Sequence, residues 1–265
     1  MRFNKVGCAE RVREKGLIMG STSYVSLSLA TALEKSLDAT SHNLANASTA
    51  GFKAFRPLFE AVEATPEGSD ADPVSYVQDG GSYLDSAQGA VVPTGNPLDI
   101  ALSGDGWLGF EAPNGQTAYS RNGRLVVDVE GRLTSSSGQA ILDAGGAPIV
   151  LPNDVGQNIE ISPDGTITSG DGAVLGRVGL FDVDSESLMQ PIGNGLYISP
   201  LAADVPPPAE NVRVAQGFIE TSNVSPVIEM TRMIDIQRAY EKSIRLMDES
   251  NELTKQVVQR LGRVT

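Results

Sequence analysis

Near the C-terminus, apolar residues recur at spacings that alternate between three and four. Residues 227–261 contain neither Gly nor Pro, and Ser225-Pro226 before them supplies a capping hydroxyl and a proline suited to the first helical position. This pattern predicts one long helix with the narrow seam of a coiled coil, which needs a partner. The seam comprises Met230, Met233, Gln237, Tyr240, Ile244, Met247, Asn251, Thr254, Val258 and Leu261.

A second seam with the same spacing lies near the N-terminus, within a helical pattern over residues 21–47. It comprises Ala30, Leu33, Leu37, Thr40, Leu44 and Ala47. This seam is the natural partner of the C-terminal one, although both seams could instead pack on other molecules. In that second case the polar residues Gln237, Asn251 and Thr254 would face neighbouring subunits and set register.

Between the two helices, the pattern changes to short apolar runs separated by Asn-Gly and Asp-Gly dipeptides. These dipeptides are strong hairpin signals, so we expect a compact antiparallel β domain, either a barrel or a sandwich. The predicted fold class is therefore α+β, with N- and C-terminal helices forming a coiled-coil domain around a central all-β domain. The predicted domains are residues 19–60 with 218–265 as the coiled-coil domain, 61–90 with 201–217 as linkers, and 91–200 as the β domain.

The first eighteen residues differ in composition from the rest. Residues 1–18 carry five of the basic side chains and the only cysteine, Cys8, and a Ser- and Leu-rich stretch begins after Met19. We expect residues 1–18 to be a disordered extension and Met19 to be the biological start.

Composition narrows the possible functions. The 265-residue chain has a formal net charge of −13, one His and one Cys. The acidic balance argues against a nucleic-acid-binding protein. A lone His42 and a lone Cys8 exclude a His triad or a Cys/His metal cluster. No phosphate-binding loop, dinucleotide fingerprint or nucleophile elbow occurs, and no apolar run approaches the roughly 20 residues of a membrane span. We expect no enzyme activity, no cofactor and no metal.

One motif follows the end of the first helix. Gly51 there permits a positive φ, and Phe52 and Phe55 are expected to anchor the emerging chain. The segment resembles the pattern S-x-N-L-A-N-x-x-T-x-G-F-K of the flagellar axial proteins of bacteria, the rod, hook and hook-junction family. The matching residues are Ser41, Asn43, Leu44, Ala45, Asn46, Thr49, Gly51, Phe52 and Lys53.

Further motif blocks extend the resemblance over roughly residues 20–262. Asp105-Gly106-Trp107-Leu108 is closer to the proximal-rod members than to the distal-rod members. The chain departs from the pattern in its N-terminal extension and at Pro226, where Asn is common. The further blocks are residues 96–108 with Tyr119-Ser120-Arg121-Asn122-Gly123, then residues 216–224, and then Met233 to Tyr240. From the residues alone, Arg121 is interpreted as a turn or surface residue and Trp107 as a core residue.

The resemblance implies a structural subunit of the flagellar basal-body rod. Such a subunit would polymerise helically through its terminal helices into a drive shaft that transmits motor torque to the hook and filament. Its partners would be proximal and distal rod subunits and the flagellar export apparatus, without a cleaved signal peptide. A distal-rod or hook-type subunit remains an alternative. A coiled-coil-borne β module that binds carbohydrate is a weaker one, because aromatic residues make up only 5% of the chain.

Overall fold

A computed structural model describes residues 6–64, 74–152, 159–183, 189–199, 206–209 and 211–262. In the first helix, side chains are described from residue 24 onward. The chain divides into two compact units. The helical unit comprises Met1–Ser41, Pro57–Gly81 and Val227–Thr265, and the β unit comprises His42–Arg56 and Ser82–Pro226. Residues 1–5 of the predicted extension lie outside the described residues.

Two long helices dominate the helical unit. Helix α1 spans Val6–Ala45, and helix α2 spans Pro226–Leu261, with the proline at its first position as predicted. Helix α1 therefore includes residues 6–18, which the sequence marks as a disordered extension. Ala9, Glu10 and Arg11 in that stretch favour helix, which accounts for the difference. The start at Met19 and the domain boundaries stay predictions.

A two-stranded ribbon accompanies the helices. It consists of β1 (Phe55–Ala64) and β2 (Val74–Leu84). Within the helical unit, the N–H of Val77 donates to the Ser28 hydroxyl of α1 at 3.3 Å, and Lys35 forms a surface ion pair with Asp79. Among the described residues, no helix is both long enough and apolar enough to cross a membrane.

The β unit is built from short strands, and every pairing whose register is described is antiparallel. A five-stranded sheet has the order β12-β5-β6-β14-β13, a three-stranded sheet has the order β11-β10-β9, and the pairs β15-β4, β16-β3 and β7-β8 complete the unit. The strands are β3 (Val91–Pro93), β4 (Ile100–Ser103), β5 (Trp107–Glu111), β6 (Thr117–Ser120), β7 (Leu125–Val127), β8 (Leu133–Ser135), β9 (Ile159–Ile161), β10 (Thr166–Ser169), β11 (Val174–Arg177), β12 (Leu180–Phe181), β13 (Gln190–Gly193), β14 (Leu196–Ile198), β15 (Arg213–Gln216) and β16 (Phe218–Glu220).

The mixed α+β class is confirmed, but the described strands form no closed barrel. Strands β15 and β16 lie outside the predicted β domain of residues 91–200, yet they pair with β4 and β3. Chain segments far apart in sequence complete these pairs, and local turn signals report nothing about such partners.

Two hairpin turns of the β unit share one arrangement. At Asp143, the carboxylate Oδ1 accepts from the N–H groups of Gly145 and Ala147 at 2.8 Å each, and Gly146 adopts φ 82°. A side-chain acceptor at the first position and a left-handed glycine three residues later make a tight hairpin turn. The same arrangement recurs at Asp128 and Gly131, so these hairpins arise from local sequence.

Two hydrophobic clusters fill the β unit. One is aliphatic and is centred on residues such as Ile100, Leu108 and Ile141. The other is largely aromatic and includes Trp107, which is 1% exposed and contacts Tyr197 edge to face at 5.6 Å between ring centroids. Trp107 is therefore a core residue, as the sequence predicts, and it is not available as a stacking platform for a carbohydrate.

Substituting Gly123→Ala should destabilise the β unit by about 3 kcal/mol, because a Cβ at this position would lie 1.8 Å from the carbonyl oxygen of Ile100. Urea denaturation followed by Trp107 fluorescence measures the effect. The matched control is Gly176→Ala, whose Cβ would meet Ile149 at an ordinary 3.4 Å. Equal stability of the two variants would contradict this account of the packing.

Candidate functional site

Three motif blocks each place one charged side chain in a single buried cluster of the β unit. Lys53 Nζ donates to Glu220 Oε1 at 2.7 Å, and Arg121 donates to Glu220 Oε2 at 3.3 Å. The side chains are 1%, 3% and 1% exposed for Lys53, Arg121 and Glu220 respectively. We call this cluster of Lys53, Arg121 and Glu220 the motif junction. It joins three segments of the chain: the one that follows α1, the one that follows strand β6, and strand β16, which precedes α2.

Backbone groups add further hydrogen bonds to all three side chains of the motif junction. Lys53 Nζ also donates to the carbonyl of Ala87 at 2.8 Å, and Glu220 Oε1 also accepts from the N–H of Gly89 at 3.0 Å. Arg121 donates to the carbonyl of Gly104 at 2.7 Å, and its guanidinium lies 5.7 Å from the centre of the Trp107 ring. Burying charges is costly unless they are paired and hydrogen-bonded, and this network meets both conditions.

Two asparagine amides hold the chain that leaves α1. The Asn43 side chain accepts from the N–H of Phe55 and donates to its carbonyl, both at 2.8 Å. The Asn223 side chain accepts from the N–H of Ala54 at 2.8 Å and donates to the carbonyl of Asp85 at 2.9 Å. Each amide supplies a donor and an acceptor to extended backbone, which is the pattern that a neighbouring strand would supply.

Gly51 allows a close backbone approach at the motif junction. Its φ is 67°, and an added Cβ would lie 2.2 Å from the carbonyl carbon of Arg121. Its N–H donates to the backbone carbonyl of Glu220 at 2.9 Å. Only glycine combines this conformation with this proximity, so Gly51 lets the first and third motifs meet against the second.

The remaining residues of the first motif terminate α1. Asn46 donates to the carbonyl of His42 at 2.9 Å, and Thr49 donates to the Asn46 side chain at 3.3 Å. Phe52 and Phe55 are buried, with the exposed ring of His42 edge-on to both. The remaining motif residues lie outside the motif junction: Ser41 and Ala45 are exposed, and Leu44 is half-buried.

Sequence reasoning missed two members of this site. Arg121 is buried, so its interpretation as a turn or surface residue is wrong. The available signal was that Lys53, Arg121 and Glu220 each stand in a motif block beside apolar residues. Tyr197 also went unnoticed: its hydroxyl accepts from the Lys53 N–H at 3.2 Å. Burial raises the pKa of Tyr197 to about 12, although the hydrogen bond with the Lys53 backbone opposes that shift.

The seam residues of the two helices differ in their surroundings. All six residues of the N-terminal seam are buried or half-buried. On α2, the buried side chains are Glu229, Ser243 and Ser250, each one position before a predicted seam residue. Met233, Ile244 and Met247 are half-buried, whereas Met230, Gln237, Tyr240 and Val258 are exposed; the side chain of Leu261 lies outside the described residues. A role of the predicted seam in contacts between subunits stays a prediction.

Two protein-family descriptions match parts of the chain. Residues 101–169 match the D1 domain of the flagellar hook proteins FlgE/F/G, and this range contains Arg121. Residues 215–260 match the C-terminal part of the flagellar basal body rod proteins FlgEFG, and this range contains Glu220.

Proteins that match most of this chain show which member of the group it is related to. The flagellar basal-body rod protein FlgF of Mesorhizobium japonicum is 37% identical over 244 residues, which cover 92% of this chain and 99% of the relative. FlgF of Caulobacter vibrioides is 36% identical, with coverage of 93% and 100%. The chain belongs to the FlgF family of flagellar basal-body rod proteins. FlgG of Bacillus subtilis, another rod protein, is 29% identical, with coverage of 84% and 92%. This FlgF-family chain is a structural rod subunit of the flagellar basal body, and the family is not an enzyme family.

Substituting Lys53→Met should destabilise the FlgF-family chain by about 2–3 kcal/mol, because the buried Glu220 carboxylate keeps only Arg121 as its cation and the Ala87 carbonyl loses its donor. Urea denaturation measures this loss. The control is Arg132→Met, which breaks a surface pair with Asp128 and should cost at most about 1 kcal/mol. If both variants lose equally little stability, the motif junction does not stabilise the β unit.

The Tyr197 hydroxyl should make stability fall in alkaline solution. The pKa of Tyr197 is raised from 10.0 to about 12. Between these pH values the unfolded chain releases the proton while the folded chain keeps it, so rising pH favours unfolding. The free energy of unfolding should drop by about 2–3 kcal/mol from this group.

The variant Tyr197→Phe should lack the fall in the free energy of unfolding that the Tyr197 hydroxyl causes at high pH. Denaturation at a series of pH values from 9 to 12 would detect this difference. The part due to Tyr119, whose pKa is also raised by burial, should remain. The control is Tyr24→Phe, which changes an exposed hydroxyl in α1. An unchanged pH slope in Tyr197→Phe would refute the assignment.

Proposed function

We propose that α1 and α2 are the polymerising elements of this rod subunit and that the motif junction fixes the ends of both helices to the β unit. The observation that carries this proposal is the apolar surface of α2. On this helix Ile228, Met230, Ile234 and Leu246 are all exposed, in addition to the side chains that face α1. A helix that is apolar on several sides requires several neighbours.

Contacts within the helical unit support an antiparallel pairing of α1 with α2. The Ser243 hydroxyl donates to the Ser26 carbonyl at 2.9 Å, and this contact is buried. Leu33 lies seven residues after Ser26, and it lines one groove together with Ile236, which lies seven residues before Ser243. A constant sum of residue numbers is the signature of antiparallel helices. The proposed pairing is a coiled coil whose small residues permit close approach.

Pairing within one subunit leaves other faces of α2 for neighbouring subunits. Contacts between two different faces of identical or related subunits generate an open helical filament. We propose that such contacts build the drive shaft that carries motor torque to the hook and filament. The proposed neighbours are proximal and distal rod subunits, and the proposed route is the flagellar export apparatus. The greater identity to FlgF than to FlgG favours the proximal position.

Ending the chain after Tyr240 should leave a folded β unit that cannot enter rods, because half of α2 is removed while the motif junction stays intact. Basal bodies purified from a strain carrying only this chain should lack it on immunoblots, and the cells should be non-motile. Native Trp107 fluorescence would show that the β unit folds. A chain that lacks only residues 262–265 serves as the control. Assembly and motility of the shortened chain would contradict the proposal.

A further inference from the structure

We propose that copies of this chain bind one another head to tail, with a ridge on α2 of one copy inserted into the groove between α1 and α2 of the next. This inference rests on the proposed function and specifies one of its contacts. The ridge consists of Met230 and Ile234. The groove lies in the helical unit, along the side of α2 that borders α1, and both features belong to the same helix.

The groove is wide enough to receive side chains from a third helix. Its volume is about 550 Å³, and one α1 residue and seven α2 residues line it. They are Leu33, Val227, Ile228, Thr231, Arg232, Asp235, Ile236 and Ala239. Five of the eight are apolar and two are charged, and a largely apolar groove of this kind suits the apolar face of an amphipathic helix.

The ridge lies on nearly the opposite side of α2. Met230 and Ile234 are one turn apart and are 46% and 49% exposed. At 3.6 residues per turn, their mean direction differs by about 150° from that of the groove residues Ile228, Arg232, Asp235 and Ala239. The ridge therefore points away from α1 and can reach another molecule, and its two side chains have the i, i+4 spacing of groove-binding anchors.

Charge identifies the occupant of the groove as a second copy. Asp235 stands at the groove rim, and Arg238 stands beside the ridge, one turn after Ile234. Both are exposed, and neither forms an ion pair with any residue in the described part of the chain, although they are three positions apart. When the ridge of one copy enters the groove of the next, its Arg238 approaches the Asp235 of that neighbour. Such complementarity sets partner and register.

The placement of these features also fixes the symmetry of the contact. A two-fold dimer would bring the same surface of both copies together, whereas here the two surfaces lie on different sides of one helix. The contact is therefore head to tail, and repetition of the contact extends an open helical series. This is the symmetry that a rod subunit needs, and it follows here from the positions of only a few side chains.

Cysteine crosslinking of the full chain in a Cys8→Ser background tests the contact. One protein carries Ile234→Cys on the ridge, and the other carries Ile228→Cys in the groove. Mild oxidation of the concentrated mixture should give a disulfide-linked dimer, and neither protein alone should do so. A dimer from Ile234→Cys alone would indicate a two-fold contact and overturn the proposal, as would absence of product in the mixture.

Charge reversal supplies a second, independent measurement. Asp235→Arg and Arg238→Asp should each weaken self-association, measured by sedimentation, about tenfold, because like charges meet at the contact. The double variant Asp235→Arg/Arg238→Asp should recover most of the loss. The control is Asp248→Arg, which changes an exposed residue of α2 outside the groove and ridge. Failure of the double variant to recover would overturn the proposal.

These outcomes separate this inference from the proposed function. If crosslinking and charge reversal fail while the chain ending at Tyr240 still cannot enter rods, the helices polymerise through other faces and only this contact is wrong. If a different axial subunit occupies the groove, the ridge and groove cysteines of two copies will not join, which also overturns it. If the shortened chain assembles, the proposed function falls, whereas crosslinking and charge reversal still decide the ridge and groove contact, because all of its residues precede Tyr240.

Discussion

The carboxylate of Glu220, buried between Lys53 and Arg121, is the interaction on which the rest of the structure depends. Three segments that are distant in the sequence each supply one charge, and removal of Glu220 would leave two buried cations without their carboxylate. The segment after α1 and the segment before α2 are thereby held against the same turn.

The segments near the two ends of the chain are packed in the β unit, but they carry exposed apolar side chains in the helical unit. Near the motif junction, Asn43 and Asn223 act as substitute strand partners for the backbone of Phe55 and Ala54. In the helical unit, α2 has apolar side chains on more sides than α1 can cover. The first arrangement favours a stable subunit, and the second favours association. Under the proposed function, neighbouring subunits would cover the exposed apolar surface of the helices.

Local features of this fold were predictable from the sequence, whereas distant partnerships were not. The start of α2 at Pro226, the Asp-Gly hairpins and the burial of Trp107 follow from capping, turn chemistry and the hydrophobic effect. The buried face of α2 lies one residue from the predicted seam. Because apolar residues occur around much of this helix, its sequence does not specify which row of side chains is buried. Arg121 was misassigned because charge predicts exposure unless the partners are known, and Lys53 and Glu220 are far away in the sequence.

The central claim is that the three motif blocks form one cooperative element, and native-state hydrogen exchange tests it most directly. The amides of Gly51, Ala54 and Gly89 are all hydrogen-bonded at or beside the motif junction. The account predicts that these three amides exchange with the same free energy, equal to that of unfolding the whole β unit. Exchange of any one of them through a local opening of much lower free energy would contradict it.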